Sequence, residues 1–143
     1  MKTSPNASFG WLISKSARMV VRMYQKEMAH LGVTPPQSGI LLVLSQHGPM
    51  TQTAIGDLLL LEKANLSEMI RRLRDAKLIE TDNSPDDARS VVHTLNPKGE
   101  AIANEVLKID GIMDKELKAL VSVESAKGAR ELLMAILDLS HKP

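Results

Sequence analysis

Between residues 8 and 31, apolar side chains return at steps of three and four: Ile13, Ala17, Val20, Tyr24, Met28 and Leu31. That period predicts one long amphipathic helix, and Gly32 supplies its stop. Thr34-Pro35-Pro36-Gln37 reads as the start of a second helix. Thr34 is the cap, proline occupies the first turn, and Gln37 stands three residues on, where a capping box needs it. This helix runs to about His47 and ends at Gly48-Pro49. Thr51 caps a short third helix over 52–59, and a fourth over 62–76 sets Leu66, Met69, Ile70 and Leu73 on one face. The pattern then changes. Residues 78–82 and 90–95 read as two strands, joined by the polar turn formers Asn83-Ser84-Pro85-Asp86-Asp87-Ala88. Asn96-Pro97 repeats the cap-then-proline start for a fifth helix, which continues to about Leu120 with Gly111 as a weak point. Ser122 caps the last helix, whose apolar side is Leu132, Leu133, Ile136, Leu137 and Leu139.

Short helix, tight turn, helix, strand, polar loop, strand is the plan of a winged helix-turn-helix. The predicted fold is therefore mainly α with a small β-hairpin wing (α+β). The 143 residues form one domain, in which 35–97 make the winged helix-turn-helix and 1–34 with 98–143 make a helical region from both termini. Composition agrees. Aromatics are 2% of the chain, so the core must be aliphatic, built from Leu, Ile, Val, Ala and eight Met, a usage that suits helices better than sheet. There is no cysteine, which excludes disulfides, thiolate metal sites and thiol-based redox sensing by this chain. Residues 1–9 lack the apolar core of a signal peptide, and no run reaches the roughly 18 apolar residues of a membrane span. A cytoplasmic protein with no membrane partner is expected.

A recognition helix must bury one face and offer short or basic side chains on the other. In the fourth helix Leu66, Ile70 and Leu73 take the buried side, with Ala64, Ser67, Glu68 and Arg71 opposite. Small Ala64 and Ser67 let the backbone approach the groove floor. Lys63 and Asn65 suit phosphates or base edges, Asn65 adenine in particular. Arg71, Arg72 and Arg74 can reach flanking phosphates, and Thr51, at the start of the third helix, is counted with the DNA contacts. Arg89 can extend from the hairpin tip into a minor groove, with Asp87 holding its guanidinium by a bidentate contact. Charge is the objection. Residues 51–100 carry seven basic and nine acidic groups, awkward where phosphate neutralisation supplies much of the binding energy. Residues 1–34 carry Lys2, Lys15, Arg18, Arg22 and Lys26 against Glu27 alone.

Several stretches resemble the MarR family (multiple-antibiotic-resistance regulators) over about residues 8–140. They are Leu31-Gly32-Val33-Thr34-Pro35-Pro36-Gln37, His47-Gly48-Pro49-Met50-Thr51-Gln52, Leu78-Ile79, Pro85-Asp86-Asp87-Ala88-Arg89-Ser90-Val91 and Leu95-Asn96-Pro97-Lys98-Gly99. The resemblance implies a homodimer assembled from the first and last helices, recognition helices in successive major grooves of double-stranded DNA, and release of DNA by a small ligand. It implies that Asn65 and Ser67 take recognition-helix positions that contact DNA, that Arg89 is the wing-tip arginine and that Asp87 is its partner. The chain departs from the family pattern at four positions. Ala88 stands where a second wing arginine is common and Glu68 where a basic residue often contacts DNA. Leu60 and Lys77 stand where glycine is usual.

On the first helix Trp11, Lys15, Arg18, Arg22 and Lys26 fall opposite the apolar stripe, flanked by Met19 and Met23. A basic row beside an indole and pliable thioethers fits an anionic effector with an apolar body, such as an aromatic carboxylate or an acyl thioester. A solvated charged face, with Arg18 or Arg22 answering acidic groups across a dimer, is the plainer account. His93 reads as a hydrogen-bonded, partly buried strand residue; the alternative is a pH-sensitive element between wing and body. The four histidines are scattered, Asp86 and Asp87 are turn neighbours, and no phosphate loop or nucleophile elbow stands out, so neither an enzyme nor a metal or other cofactor is expected. The rival reading is a winged-helix protein-interaction module that no longer binds DNA, which the acidic balance of 51–100, Glu68 and Ala88 favour.

Overall fold

The computed structural model of the chain describes Ser4 and residues 6–141. Among the described residues the α-helices and strands follow one another as α1 (Phe9–Met28), α2 (Pro35–His47), β1 (Met50–Thr51), α3 (Gln52–Leu59), α4 (Lys63–Asp75), β2 (Ile79–Asn83), β3 (Val91–Leu95), α5 (Pro97–Lys118) and α6 (Val123–Asp138). The ends are set where local chemistry sets them. The Ser8, Thr34, Thr51 and Ser122 hydroxyls each accept a backbone N–H three residues on, satisfying a donor that the helix itself leaves unpaired. At Thr34 the Gln37 side chain answers with 3.0 Å to the Thr34 N–H, which completes the expected capping box. The single helix expected over 8–31 ends as a 3₁₀ turn, Ala29–Leu31, before Gly32 turns left-handed. α5 runs unbroken through Gly111.

Two strands were expected and three are present among the described residues. The sheet order is β1-β3-β2, all antiparallel, with Met50 opposite His93 and Thr51 opposite Val92. β1 has only two residues and gains its identity from β3, so no local alternation could announce it. The β2–β3 hairpin pairs Ile79 with Leu95 through to Asn83 with Val91.

The chain divides into two compact units at Ile109 and Asp110. The first holds an aliphatic core of Val33, Ile40, Leu41, Val43, Leu44, Ile55, Leu66, Ile70, Leu73, Leu78, Ile79 and Ala103. Its members come from α2, α3, α4, β2 and α5, with Val33 just before α2 and Leu78 just before β2, so burial of their faces fixes α3 and α4 as a pair and holds the base of the hairpin. α1 contributes little: Met28 is its sole buried residue. The second unit contains α6, which has no buried residue.

Two bends need a left-handed residue and find a bulky one. Leu60 (φ 54°) follows α3, and Lys77 (φ 58°) follows α4. After α4 the Lys77 N–H bonds the Arg74 carbonyl and the Leu78 N–H the Leu73 carbonyl, a Schellman ending whose left-handed seat normally takes glycine. Asn96 fastens this corner: its side-chain amide donates to the Lys77 carbonyl, its Oδ1 accepts the Gly99 N–H at 2.8 Å, and its own N–H reaches the Leu78 carbonyl at 3.2 Å.

Candidate nucleic-acid interface

α4 presents the surface expected of it. Leu66, Ile70 and Leu73 are buried, while Lys63, Ala64, Asn65, Ser67, Glu68, Arg71 and Arg72 are exposed. The positions were readable because a helix that buries one face must show the other. Their partners were not. Ser67 accepts a hydrogen bond of 2.6 Å from Gln52 Nε2, a link between α3 and α4 across fifteen residues that no local spacing signals. Its hydroxyl proton remains available to a second acceptor. Thr51 spends its oxygen on the Ala54 N–H at 3.2 Å, so the residue counted among the DNA contacts is first of all a helix cap. Between α3 and α4 lies a cleft of about 560 Å³ edged by Gln52, Thr53, Asp57, Lys63 and Ser67 and floored by Leu66.

Arg71 and Arg72 are engaged within their own helix. Glu68 accepts from Arg71 at 2.7 and 3.0 Å and from Arg72 Nε at 2.9 Å, and Arg71 also reaches Asp75 at 2.8 Å. The guanidinium of Arg71, then that of Arg72, hold the Glu68 carboxyl down at about 2, and the same contact with Glu68 raises Arg71. All four side chains are about half exposed or more, so each pair adds little to the stability of the fold.

In the wing loop Arg89 is exposed, as its position at a hairpin tip predicts. Asp87 acts differently from the expectation. Its Oδ1 accepts the backbone N–H of Arg89 at 2.9 Å and its Oδ2 the Ser90 hydroxyl at 3.4 Å, and it makes no ion pair with the Arg89 guanidinium. A short carboxylate two residues back in a tight turn meets the backbone before it can meet the end of a long side chain. The turn is closed by Ser84 N–H to the Ser90 carbonyl at 2.7 Å and Ser90 N–H to the Asp87 carbonyl at 3.0 Å. Asp87 shapes the tip that carries Arg89.

His93 lies on the central strand, almost wholly buried, with Nδ1 2.9 Å from the Thr81 hydroxyl. Burial lowers its pKa, with the positive charge of Arg74 adding to the effect.

On α1 the Lys15 ammonium sits 4.5 Å from the centre of the Trp11 ring, a cation–π contact inside the row expected to hold an anion. Trp11, Lys15, Arg18, Met19 and Arg22 are exposed and Met23 is half-buried. Lys2, counted with the basic groups of this region, lies outside the described residues. The cleft between α3 and α4 includes no residue of α1. Among the described residues no group of three or more His, Asp and Glu is placed to hold a metal, and no helix is long and apolar enough to cross a membrane.

The chain's similarities point one way. The model of the MarR family matches residues 31–90, which run from the end of the first helical region through α2, α3, α4, β2 and the wing loop, stopping just before β3. The organic hydroperoxide resistance transcriptional regulator of Bacillus subtilis is 28% identical over 132 residues, covering 92% of this chain and 88% of that protein. Among solved structures, a complex of S. aureus MepR with DNA superposes with a TM-score of 0.84 at 20% identity, covering 93% of this chain and 98% of the other. Bordetella bronchiseptica BpsR, whose DNA binding is regulated by 6-hydroxynicotinic acid, superposes with a TM-score of 0.81 at 20% identity, covering 96% and 98%. Over the helix-turn-helix pair and the first strand and loop of the wing, the chain is similar to the MarR family.

Proposed function

We propose that this protein is a homodimeric transcriptional repressor that binds a pseudo-palindromic operator and is released by a small anionic aromatic effector. One observation carries the DNA-binding half: α4 bears a polar face with Lys63, Asn65, Ser67, Arg71 and Arg72 exposed, and the same unit carries Arg89 on a hairpin turned by Asp87. A helix for the major groove and an arginine for the minor groove are complementary readers of duplex DNA. Thr51 supports the helix start, and its hydroxyl proton is free for a phosphate. The DNA complex of S. aureus MepR on the same fold supports the reading. Such work places the protein in the cytoplasm and requires neither catalysis nor a cofactor.

The dimer is argued from what each unit leaves uncovered. α6 exposes Leu132, Leu133, Met134, Ile136 and Leu137, with Leu139 exposed just past its end, and α1 exposes Phe9, Trp11, Met19 and Val21. Two helices with so much apolar surface in water call for a second copy. Residues 1–34 and 98–143 are accordingly the dimerisation region, and 35–97 the DNA-binding region.

The effector site is assigned to Trp11, Lys15, Arg18, Met19, Arg22 and Met23. The Lys15–Trp11 contact pre-places a cation beside an aromatic face, which suits a flat carboxylate, and the 6-hydroxynicotinic acid of BpsR is of that class. The hydroperoxide in the name of the Bacillus relative does not transfer by way of a thiol, because this chain has no cysteine.

The test is selection of bound genomic fragments by the full-length protein, followed by footprinting with and without aromatic acids and their thioesters. Protection of two half-sites about one helical turn, roughly 10 base pairs, apart is expected. Affinity should fall steeply with salt as counterions are released. Salt-independent or undetectable binding would favour the interaction-module reading, which the tethering of Arg71 and Arg72 by Glu68 supports.

A further inference from the structure

Glu68 is a carboxylate in the middle of the face that the DNA-binding reading turns toward the groove. At 100° per residue it lies roughly opposite the mean direction of buried Leu66, Ile70 and Leu73. A bare negative charge there would repel phosphate, yet this one is not bare. Oε1 accepts from Arg71 Nη2 at 2.7 Å and from Arg72 Nε at 2.9 Å, and Oε2 accepts from Arg71 Nε at 3.0 Å. An ionised carboxylate offers about four acceptor sites, so three are filled and one, on Oε2, is left. Asp75 draws on the far side of Arg71, through Nη1, and does not compete for that site. The two guanidinium groups orient the carboxylate and offset its charge, which lowers the cost of carrying it into the groove.

A carboxylate that stays ionised can only accept. In the major groove the amino groups of cytosine and adenine are the donors, and adenine sets its N7 acceptor beside the amino group, against which a carboxylate is repelled. Cytosine N4 is the match. We propose that Glu68 is a specificity-determining residue of the recognition helix, held by Arg71 and Arg72 so that Oε2 accepts from the N4 amino group of one cytosine in each half-site. This rests on the DNA-binding reading above and adds the base to it.

The experiment is selection from a randomised duplex pool by the full-length protein, Glu68→Gln and Glu68→Ala, with melting measured for all three. Glu68 is solvent-exposed at about half its side-chain surface, so both variants should melt with the parent. The parent should enrich a cytosine at one position of each half-site. Glu68→Gln should move that position to adenine, because a carboxamide pairs with both N6 and N7, and Glu68→Ala should lose preference there. Replacing the C·G pair by T·A should weaken the parent by roughly five- to hundredfold and change Glu68→Ala by less than about twofold. An identical motif from all three proteins would overturn the proposal while leaving DNA reading intact, and so would a uniform gain in affinity on an unchanged motif. Failure of all three to enrich any sequence would overturn both.

Discussion

Leu60 and Lys77 carry the clearest residue-scale strain in the molecule. Each is an L-residue held in the left-handed region, which costs about 1–2 kcal/mol relative to glycine, partly offset by the greater freedom glycine has when unfolded. Both side chains are exposed, so little packing opposes a change. Leu60→Gly and Lys77→Gly should each stabilise the fold by about 0.5–1 kcal/mol, read as a higher Tm, and the two gains should add because the sites are independent. Gly99 is the reverse case. A Cβ there would collide with the backbone carbonyl of Leu78, so Gly99→Ala should destabilise by at least about 1–3 kcal/mol in urea unfolding. His93 makes a pH prediction. Its folded pKa is depressed by burial and by Arg74, with Thr81 and Met50 as its strand neighbours. The unfolded chain therefore binds the proton more readily, and stability present above about pH 6.5 is lost as pH falls through the folded value. Tm should drop from pH 7 to pH 5, and His93→Gln should flatten that slope; an equal slope in the variant would clear His93 of the effect.

At the scale of elements, the recognition helix and the wing are supported differently. α4 is locked by three buried aliphatic residues and by the Gln52–Ser67 bond, while the wing tip is shaped by turn hydrogen bonds and packs against little. Arg89→Ala should therefore weaken operator binding several-fold without moving Tm. Asp87→Ala should weaken binding as well, through a loosened turn rather than a lost ion pair, and its effect should largely vanish in the Arg89→Ala background. Helix starts were legible because a cap, a proline and a carboxamide three residues on act within one turn. β1 was not, since a two-residue strand exists only by pairing with β3. The partner of Ser67 was equally hidden, because its donor, Gln52, lies fifteen residues away on another helix, and which donor Asp87 would take was open, because a backbone N–H and a guanidinium both lay within reach.

For the molecule as a whole, the exposed apolar residues of α6 and of α1 are the feature that the single chain does not satisfy. Leu133→Glu with Leu137→Glu should yield a monomer by sedimentation, since burying a carboxylate in an apolar interface is costly. That monomer should keep the melting of the winged-helix unit and lose two-half-site protection. Arg18→Ala or Arg22→Ala should abolish ligand-induced release while sparing operator binding; release equal to the parent would remove the α1 row as the effector site.

The order of elements, their caps, the aliphatic core and the polar face of α4 were determined by the sequence itself, because each depends on spacing within a few residues. Tertiary structure alone decided the third strand, the clamp of Asn96 on Lys77 and the bond from Gln52 to Ser67. These depend on which of several competent partners arrives first in space, and the energies separating such choices, about 1 kcal/mol for an exposed hydrogen bond, leave no mark in a linear pattern.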